Sequence, residues 1–90
     1  MNEGLPGAEI VERGIEDLAR GLDSEEALLV SIGATRLRRI GIAIPEALDA
    51  PEDRLYERLA RVDPDSAHSR YNALVRRLVS FERAAECAAR

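Results

Sequence analysis

The 90-residue sequence predicts an all-α fold, a compact bundle of about four helices with a long C-terminal helix. Apolar residues recur at intervals of three and four positions along most of the chain, the spacing of one helix face. Proline, glycine and helix-capping residues separate the periodic segments. We assign residues 1–7 to a flexible N-terminus and residues 8–90 to a single helical domain, because so short a chain fills only one core.

The first helix is predicted to begin after Pro6 and Gly7 and to end near Gly21. It has one narrow apolar stripe, which consists of Val11, Ile15, Leu18 and Leu22. Gly14 lies inside this helix, where glycine costs about 1 kcal/mol relative to alanine. We therefore expect another backbone to approach the helix closely at Gly14.

The second helix is predicted to be the central element that the other helices cover. Asp23 is followed three residues later by Glu26, the spacing of a capping box, and Ser24 is the alternative cap. Residues 27–32 are apolar on nearly every side. A buried strand is the competing interpretation of so short an apolar run, but the glutamates before it favour a helix.

The segment after the second helix is punctuated by glycine and proline. Gly33 predicts a break or bend, and the helical pattern that follows reaches Ile40 and stops at Gly41. Residues 42–45 are expected to be an extended connector, because a residue before proline is pushed out of helical geometry. Residues 45–48 are then predicted to form one short turn.

The next helix is predicted to start at Pro51, a residue suited to the first helical position. Glu52 and Asp53 follow in the first turn, where negative charge complements the helix dipole. The apolar stripe of this helix is Leu55, Leu59 and Val62, and Pro64 follows its end.

The last and longest helix is predicted to start after a cap at Asp65 or Ser66. Its heptad-like seam consists of Ala67, Tyr71, Leu74, Leu78, Phe81, Ala85 and Ala88. Val75 and Val79 widen this seam on one side. An apolar arc of this width fits either the core of a bundle or a core together with a dimer seam.

Composition narrows the class of protein. One cysteine and one histidine allow neither an intrachain disulfide nor a closed zinc site, and no cofactor motif is present, so we predict no metal and no cofactor. No apolar stretch approaches the roughly 20 residues that span a bilayer, so we expect no membrane association. The low cysteine content suits a reducing cytoplasm, which we take to be bacterial.

Charge is distributed in alternating blocks. The local charge is −6 in residues 1–26, +3 in residues 34–45, −4 in residues 46–65 and +3 in residues 66–90. Such blocks suit complementary packing within the chain or against a second copy better than they suit a uniformly charged ligand. All 13 basic residues are arginine, and codon bias in a GC-rich genome is the simplest explanation.

The function we predict is a non-catalytic protein–protein interaction module, either a homodimer, an adaptor or the neutralising partner of another protein. An enzyme is the less favoured class, because the chain offers few titratable groups that could converge in a pocket, and we assign no catalytic residues. The candidate interaction residues all lie in the last helix. They are His68, Arg70, Asn72, Arg76 and Glu82.

Glu82 is singled out because it falls inside the apolar arc of the last helix. A carboxylate in that position needs a partner, and we expect an arginine from another helix. The candidates are Arg36, Arg38 and Arg58. Glu86 lies one turn further on, so a carboxylate pair for metal binding or acid–base chemistry is the competing interpretation.

Nucleic-acid binding is the alternative function. Residues 28–40 resemble a helix-turn-helix in outline, which implies that the second helix contacts DNA. The contacting residues would be Arg36, Arg38 and Arg39, with Arg70, Arg76 and Arg77 as further basic residues. The net charge of −4 disfavours this alternative, since phosphate binding normally needs a broad basic face.

A third hypothesis comes from Arg61 and His68, which are separated by six residues. This spacing resembles the Arg-x(4–6)-His signature of the helical HEPN ribonucleases. The resemblance implies an RNA-cleaving dimer in which Arg61 and His68 act at the interface. The sequence departs from that pattern at Val62, where the family has a polar residue, and at residues 63–65, where Asp-Pro-Asp interrupts the spacing.

Overall fold

Residues 4–88 are described by the computed structural model, so residues 1–3 of the predicted N-terminus and residues 89–90 lie outside the described part. The described chain contains five helices and no strand. They are α1 (Ala8–Ala19), α2 (Glu25–Ile32), α3 (Ala34–Arg39), α4 (Pro51–Val62) and α5 (Ala67–Ala88). The predicted all-α bundle with a long C-terminal helix is confirmed, and the strand interpretation of residues 27–32 is wrong.

Helix α2 forms the centre of the bundle, as its composition predicts. It packs against α1, α3, α4 and α5. Ala27, Leu28, Leu29 and Val30 are consecutive and each is at most 1% exposed, so every side of this short helix is covered. Because α2 is covered on every side, each of the other helices buries only the face that packs on the core and exposes its polar face to water.

Helices α1 and α2 approach each other closely at Gly14, and the predicted contact with another backbone is confirmed. A Cβ atom at this position would overlap the carbonyl oxygen of Glu26 and a methyl group of Val30. The two helices can reach this separation only because residue 14 has no side chain.

Helix α1 ends at a glycine in the left-handed conformation. Gly21 has a φ of 74°, and the Gly21 and Leu22 amides donate to the carbonyls of Leu18 and Asp17 at 3.0 and 2.8 Å, the two bonds of a Schellman motif. Because the helix stops at Ala19, Leu22 leaves the α1 stripe and is 48% exposed. Its predicted place in that stripe is therefore wrong.

Ser24 joins the α1–α2 turn to both helices. Its hydroxyl donates to Oδ2 of the buried Asp17 at 2.5 Å and accepts from the amide of Ala27 at 3.1 Å. The second bond is an N-cap of α2, so Ser24 rather than Asp23 is the cap.

The substitution Ser24→Ala is expected to lower the free energy of unfolding by about 2 kcal/mol, because it removes the cap and leaves a buried carboxylate without its donor. Urea unfolding followed by circular dichroism measures the change. The matched control is Ser69→Ala at an exposed helical position, which should stay within about 0.5 kcal/mol of the unaltered chain. Equal effects of the two substitutions would show that the Ser24 bonds contribute nothing to stability.

The connector between α3 and α4 differs from the prediction in one place. Gly41 ends α3 with a φ of 97°, as expected, but residues 42–48 form no turn. Arg38 donates to the carbonyls of Ile44 and Pro45 at 3.2 and 2.7 Å, and the amide of Leu48 donates to the Ser31 hydroxyl at 3.0 Å. These bonds use backbone groups that a local turn would need, so the connector stays extended.

Helices α4 and α5 form a hairpin whose inner faces complete the core. Leu55 and Leu59 of α4 are fully buried, whereas Val62 is 69% exposed because α4 ends there, so its predicted place in the buried stripe is wrong. On α5 the buried members of the seam are Ala67, Leu78, Phe81 and Ala85. Tyr71 and Leu74 are half-buried and Ala88 is exposed. No helix among residues 4–88 is long and apolar enough to cross a membrane.

Candidate interaction surface

Glu82 lies in the core, with only 4% of its surface exposed, and its predicted arginine partner is Arg36. Nη1 of Arg36 is 3.7 Å from Oε1 of Glu82, and Nη2 donates to Oε2 of Glu86 at 3.0 Å. Gly33 leaves room for the carboxylate, because a Cβ there would lie 2.8 Å from Oε2 of Glu82. The side chains of Arg36, Glu82 and Glu86 connect α3 with the second half of α5. These contacts within the chain explain why a carboxylate lies in the core.

The Glu82 environment disfavours the charged form of its carboxyl group. Burial raises the pKa of Glu82, and the nearby Arg36 guanidinium opposes this shift without cancelling it. A group whose pKa is raised on folding contributes stability below its ordinary pKa, and this contribution is lost as the pH rises through the raised value.

Glu82→Gln should therefore become progressively more favourable, relative to the unaltered chain, as the pH rises above the ordinary carboxyl range. Urea unfolding of both chains at intervals between about pH 4 and about pH 8 measures the difference. Glu12→Gln, at an exposed glutamate of α1, is the control for the loss of one negative charge. A difference that changes in the opposite direction with pH would mean that the Arg36 ion pair outweighs burial.

Two of the three arginines predicted to contact nucleic acid are used within the chain. Arg36 holds the carboxylates on α5, and Arg38 holds the connector. Arg39 is exposed and has no side-chain hydrogen bond or ion pair to any residue between 4 and 88. Nucleic-acid binding stays a prediction, but α3 does not present the three guanidinium groups as one free face.

The predicted interaction residues of α5 divide into three groups. His68, Asn72 and Arg76 follow one another at four-residue spacing on the exposed side, with 3.2 Å between Nδ2 of Asn72 and Nε2 of His68. Arg70 points to α2, where its Nη2 is 4.0 Å from Oε1 of Glu25. Glu82 is buried. Only the first group forms a continuous surface.

Arg61 and His68, the pair that resembles the HEPN signature, belong to different surfaces. Arg61 is in the last turn of α4 and lines a cleft of about 150 Å³ together with Asp23, Arg54 and other residues. His68 is in the first turn of α5, beside Asn72. No hydrogen bond joins the two side chains within residues 4–88, and RNA cleavage by this pair stays a prediction.

The positive charge of the cleft lined by Arg61 is largely balanced by carboxylates of the same cleft. Arg54 and Arg58 both approach the Asp23 carboxylate, at 3.4 and 3.7 Å, and Arg58 also donates to the backbone carbonyl of Asp23. Glu57 adds a second carboxylate to its wall. The arginines of this cleft thus connect α4 to the start of α2. Among the described residues, no group of three His, Cys, Asp or Glu side chains could hold a metal ion.

Helices α4 and α5 meet through an aromatic pair. The rings of Tyr56 and Tyr71 have centroids 5.8 Å apart and planes inclined by 60°. Tyr56 is 40% exposed although it is a large apolar residue. Burial raises the pKa of the Tyr71 hydroxyl, as do the negative charges of Glu52 and Asp53, which places the start of α4 near Tyr71.

Exposed charges of opposite sign lie on the two helices that carry this aromatic pair, and the exposed cation of α4, Arg61, lines the cleft instead. Glu52, Asp53 and Glu57 on α4 are exposed, and so are Arg76 and Arg83 on α5. Within residues 4–88, none of the five has an ion pair or a side-chain hydrogen bond. We name the α4–α5 face after the residues that form it, which are Asp53, Tyr56, Glu57, Tyr71, Asn72, Val75, Arg76 and Val79.

Two α5 residues of this face, Asn72 and Arg76, are among the interaction residues predicted from the sequence, whereas none of its α4 residues is. The charge blocks do not indicate the α4 half, because α4 itself carries three acids and three arginines, and the excess acids of residues 46–65 lie in the segments that flank it. The contact of Tyr56 with Tyr71 could not be read from the spacing of either helix.

Comparisons of the chain with protein-family models, with curated proteins and with solved structures find no match. A functional assignment therefore depends on the chemistry of the surface.

Proposed function

We propose that the chain is a protein–protein interaction module that binds its partner through the α4–α5 face. The observation that carries the proposal is a partly exposed apolar seam between charges of opposite sign that have no ion pair within residues 4–88. Tyr56, Tyr71, Val75 and Val79 form the seam. Aromatic and arginine side chains are enriched in protein interfaces, where a partner covers the apolar centre and pairs with the charged rim.

The charged residues of the face support this function because none of them makes an ion pair or a side-chain hydrogen bond within residues 4–88. Arg36, Arg54, Arg58, Arg70 and Arg77 each make an ion pair to a carboxylate of another helix or turn. Arg76 makes none within residues 4–88, although it lies between Arg70 and Arg77 on the same helix. A homodimer, an adaptor and a neutralising partner are all compatible with such a face, and we place the module in a reducing cytoplasm.

Affinity capture with three forms of the chain tests the proposal. The unaltered chain, Arg76→Glu and Arg13→Glu are used as baits in an extract of the cells that make the protein, supplemented with a differently tagged copy of the chain. Arg13 is an exposed arginine of α1 and has no ion pair within residues 4–88, so Arg13→Glu makes the same change of charge away from the face.

The expected result is a specific protein, or the tagged copy, that binds the unaltered chain and Arg13→Glu but not Arg76→Glu. Identical sets of proteins on all three baits would contradict the proposal. Circular dichroism of the baits checks that each is folded.

A further inference from the structure

We infer that the partner of the α4–α5 face is a second copy of the same chain, in a two-fold dimer with α4 of each copy lying over α5 of the other. The inference rests on the proposed function and identifies its partner. It follows from the way in which the charges and the apolar seam are arranged across the two helices.

On α4, the contacts fix which direction each side chain faces. Leu55 and Leu59 are buried in the core, where α4 packs against α2. Tyr56 lies about 100° away around the helix from Leu55 and meets α5. Asp53 and Glu57 lie beyond Tyr56 on the outer side and are exposed. The part of the outer side next to Tyr56 is therefore acidic, and the exposed Arg61 lies beyond Glu57, where both line the cleft.

On α5, the outer side has the opposite charge. Leu78 faces the core and Tyr71 meets α4. Asn72 and Arg76 are turned roughly 100° or more from Tyr71, away from the core. Val79 points between the direction of Tyr71 and that of Asn72 and Arg76, and it is half-buried. Seen from outside, acidic side chains of α4 lie beside basic side chains of α5, with aromatic and valine side chains between them.

A surface with this pattern is complementary to itself under one two-fold rotation. An axis that runs along the seam, parallel to the helices, places α4 of one copy on α5 of the other and forms two equivalent acid–base contacts. An axis across the helices would place α4 on α4 and bring carboxylates together. Electrostatics thus selects the first arrangement.

The positions along the helices also match. Because α4 and α5 form a hairpin, Asp53 and Arg76 are displaced from the Tyr56–Tyr71 pair in the same direction. At 1.5 Å per residue the displacements are about 4.5 Å for Asp53 and about 7.5 Å for Arg76. The positions of Asp53 and Arg76 along the helix axes therefore differ by about 3 Å, a distance that the long arginine side chain spans.

The small area of the α4–α5 face predicts a weak dimer. Helix α4 has 12 residues and is about 18 Å long, and two adjacent helices are about 20 Å wide. The covered area is below the roughly 800 Å² per partner of a standard interface, so we expect a micromolar dissociation constant that rises with added salt.

Sedimentation equilibrium at low salt, up to about 1 mM chain, tests the dimer. The unaltered chain and Arg13→Glu should dimerise, whereas Arg76→Glu and Asp53→Arg should each be monomeric because each brings like charges together. An equimolar mixture of Arg76→Glu and Asp53→Arg should form a heterodimer, since both contacts are then between opposite charges. Circular dichroism should show that the variants stay folded.

A monomeric unaltered chain at the highest concentration would overturn the inference, and so would a mixture of the two variants that stays monomeric. If the chain is monomeric but Arg76→Glu still abolishes the capture of another protein, the second-copy assignment is wrong and the proposed function stands. If the three baits capture the same proteins and no dimer forms, both are wrong.

Discussion

Replacement of Gly14 by alanine is expected to lower the free energy of unfolding by about 2–3 kcal/mol, although alanine favours an isolated helix by about 1 kcal/mol. The added methyl group overlaps the carbonyl oxygen of Glu26 and a methyl group of Val30. A backbone carbonyl within a helix cannot turn aside as a flexible side chain can, so α1 has to move away from α2 and the core loses contacts.

The measurement is urea unfolding of Gly14→Ala beside Glu12→Ala, an exposed position of the same helix. The control should change the free energy of unfolding by less than about 0.5 kcal/mol. An unchanged or increased stability of Gly14→Ala would contradict the close contact of α1 with α2.

Truncation of Leu29 to alanine should have the larger effect, a loss of about 3–4 kcal/mol. Leu29 is fully buried in α2, the helix that the others cover, so the cavity cannot be filled by a small shift of one neighbour. A domain of this length has a total stability of roughly 5–13 kcal/mol, so the variant should be partly unfolded at moderate temperature.

Thermal and urea unfolding of Leu29→Ala and Leu74→Ala provide the comparison. Leu74 on α5 is only half-buried, so its truncation should cost about 1–2 kcal/mol. A loss at Leu29 no greater than that at Leu74 would show that α2 is not the centre of the core.

Proline and glycine, which set their own backbone dihedral angles, were the residues that best indicated where helices begin and end. Pro51 starts α4, and Gly21 and Gly41 end α1 and α3 in the left-handed conformation, because these residues restrict or widen the local dihedral angles whatever surrounds them. The uniformly apolar residues 27–32 indicated the central helix for a related reason, since such a segment has no side to expose to water.

Periodicity was less reliable at helix ends. Leu22 and Val62 continue their apolar stripes in the sequence, but both are exposed because the helices stop before or at them. The expected turn at residues 45–48 failed because Arg38 and Ser31 bind the connector from other parts of the chain. No local pattern contains these two contacts.

Glu82 and the α4–α5 face show which features the sequence determines and which only the tertiary structure decides. From the sequence alone, a carboxylate within an apolar arc required an arginine, because an isolated buried charge is costly, and three arginines were possible. Only the tertiary structure, which brings Nη1 of Arg36 to 3.7 Å from Oε1 of Glu82, selects Arg36. In the same way, charge blocks of opposite sign were visible in the sequence. Which of these charges lie on the outward face beside the Tyr56–Tyr71 contact depends on how α4 and α5 pack, because the direction of a side chain around its helix has meaning only once a neighbouring helix fixes which side is the core.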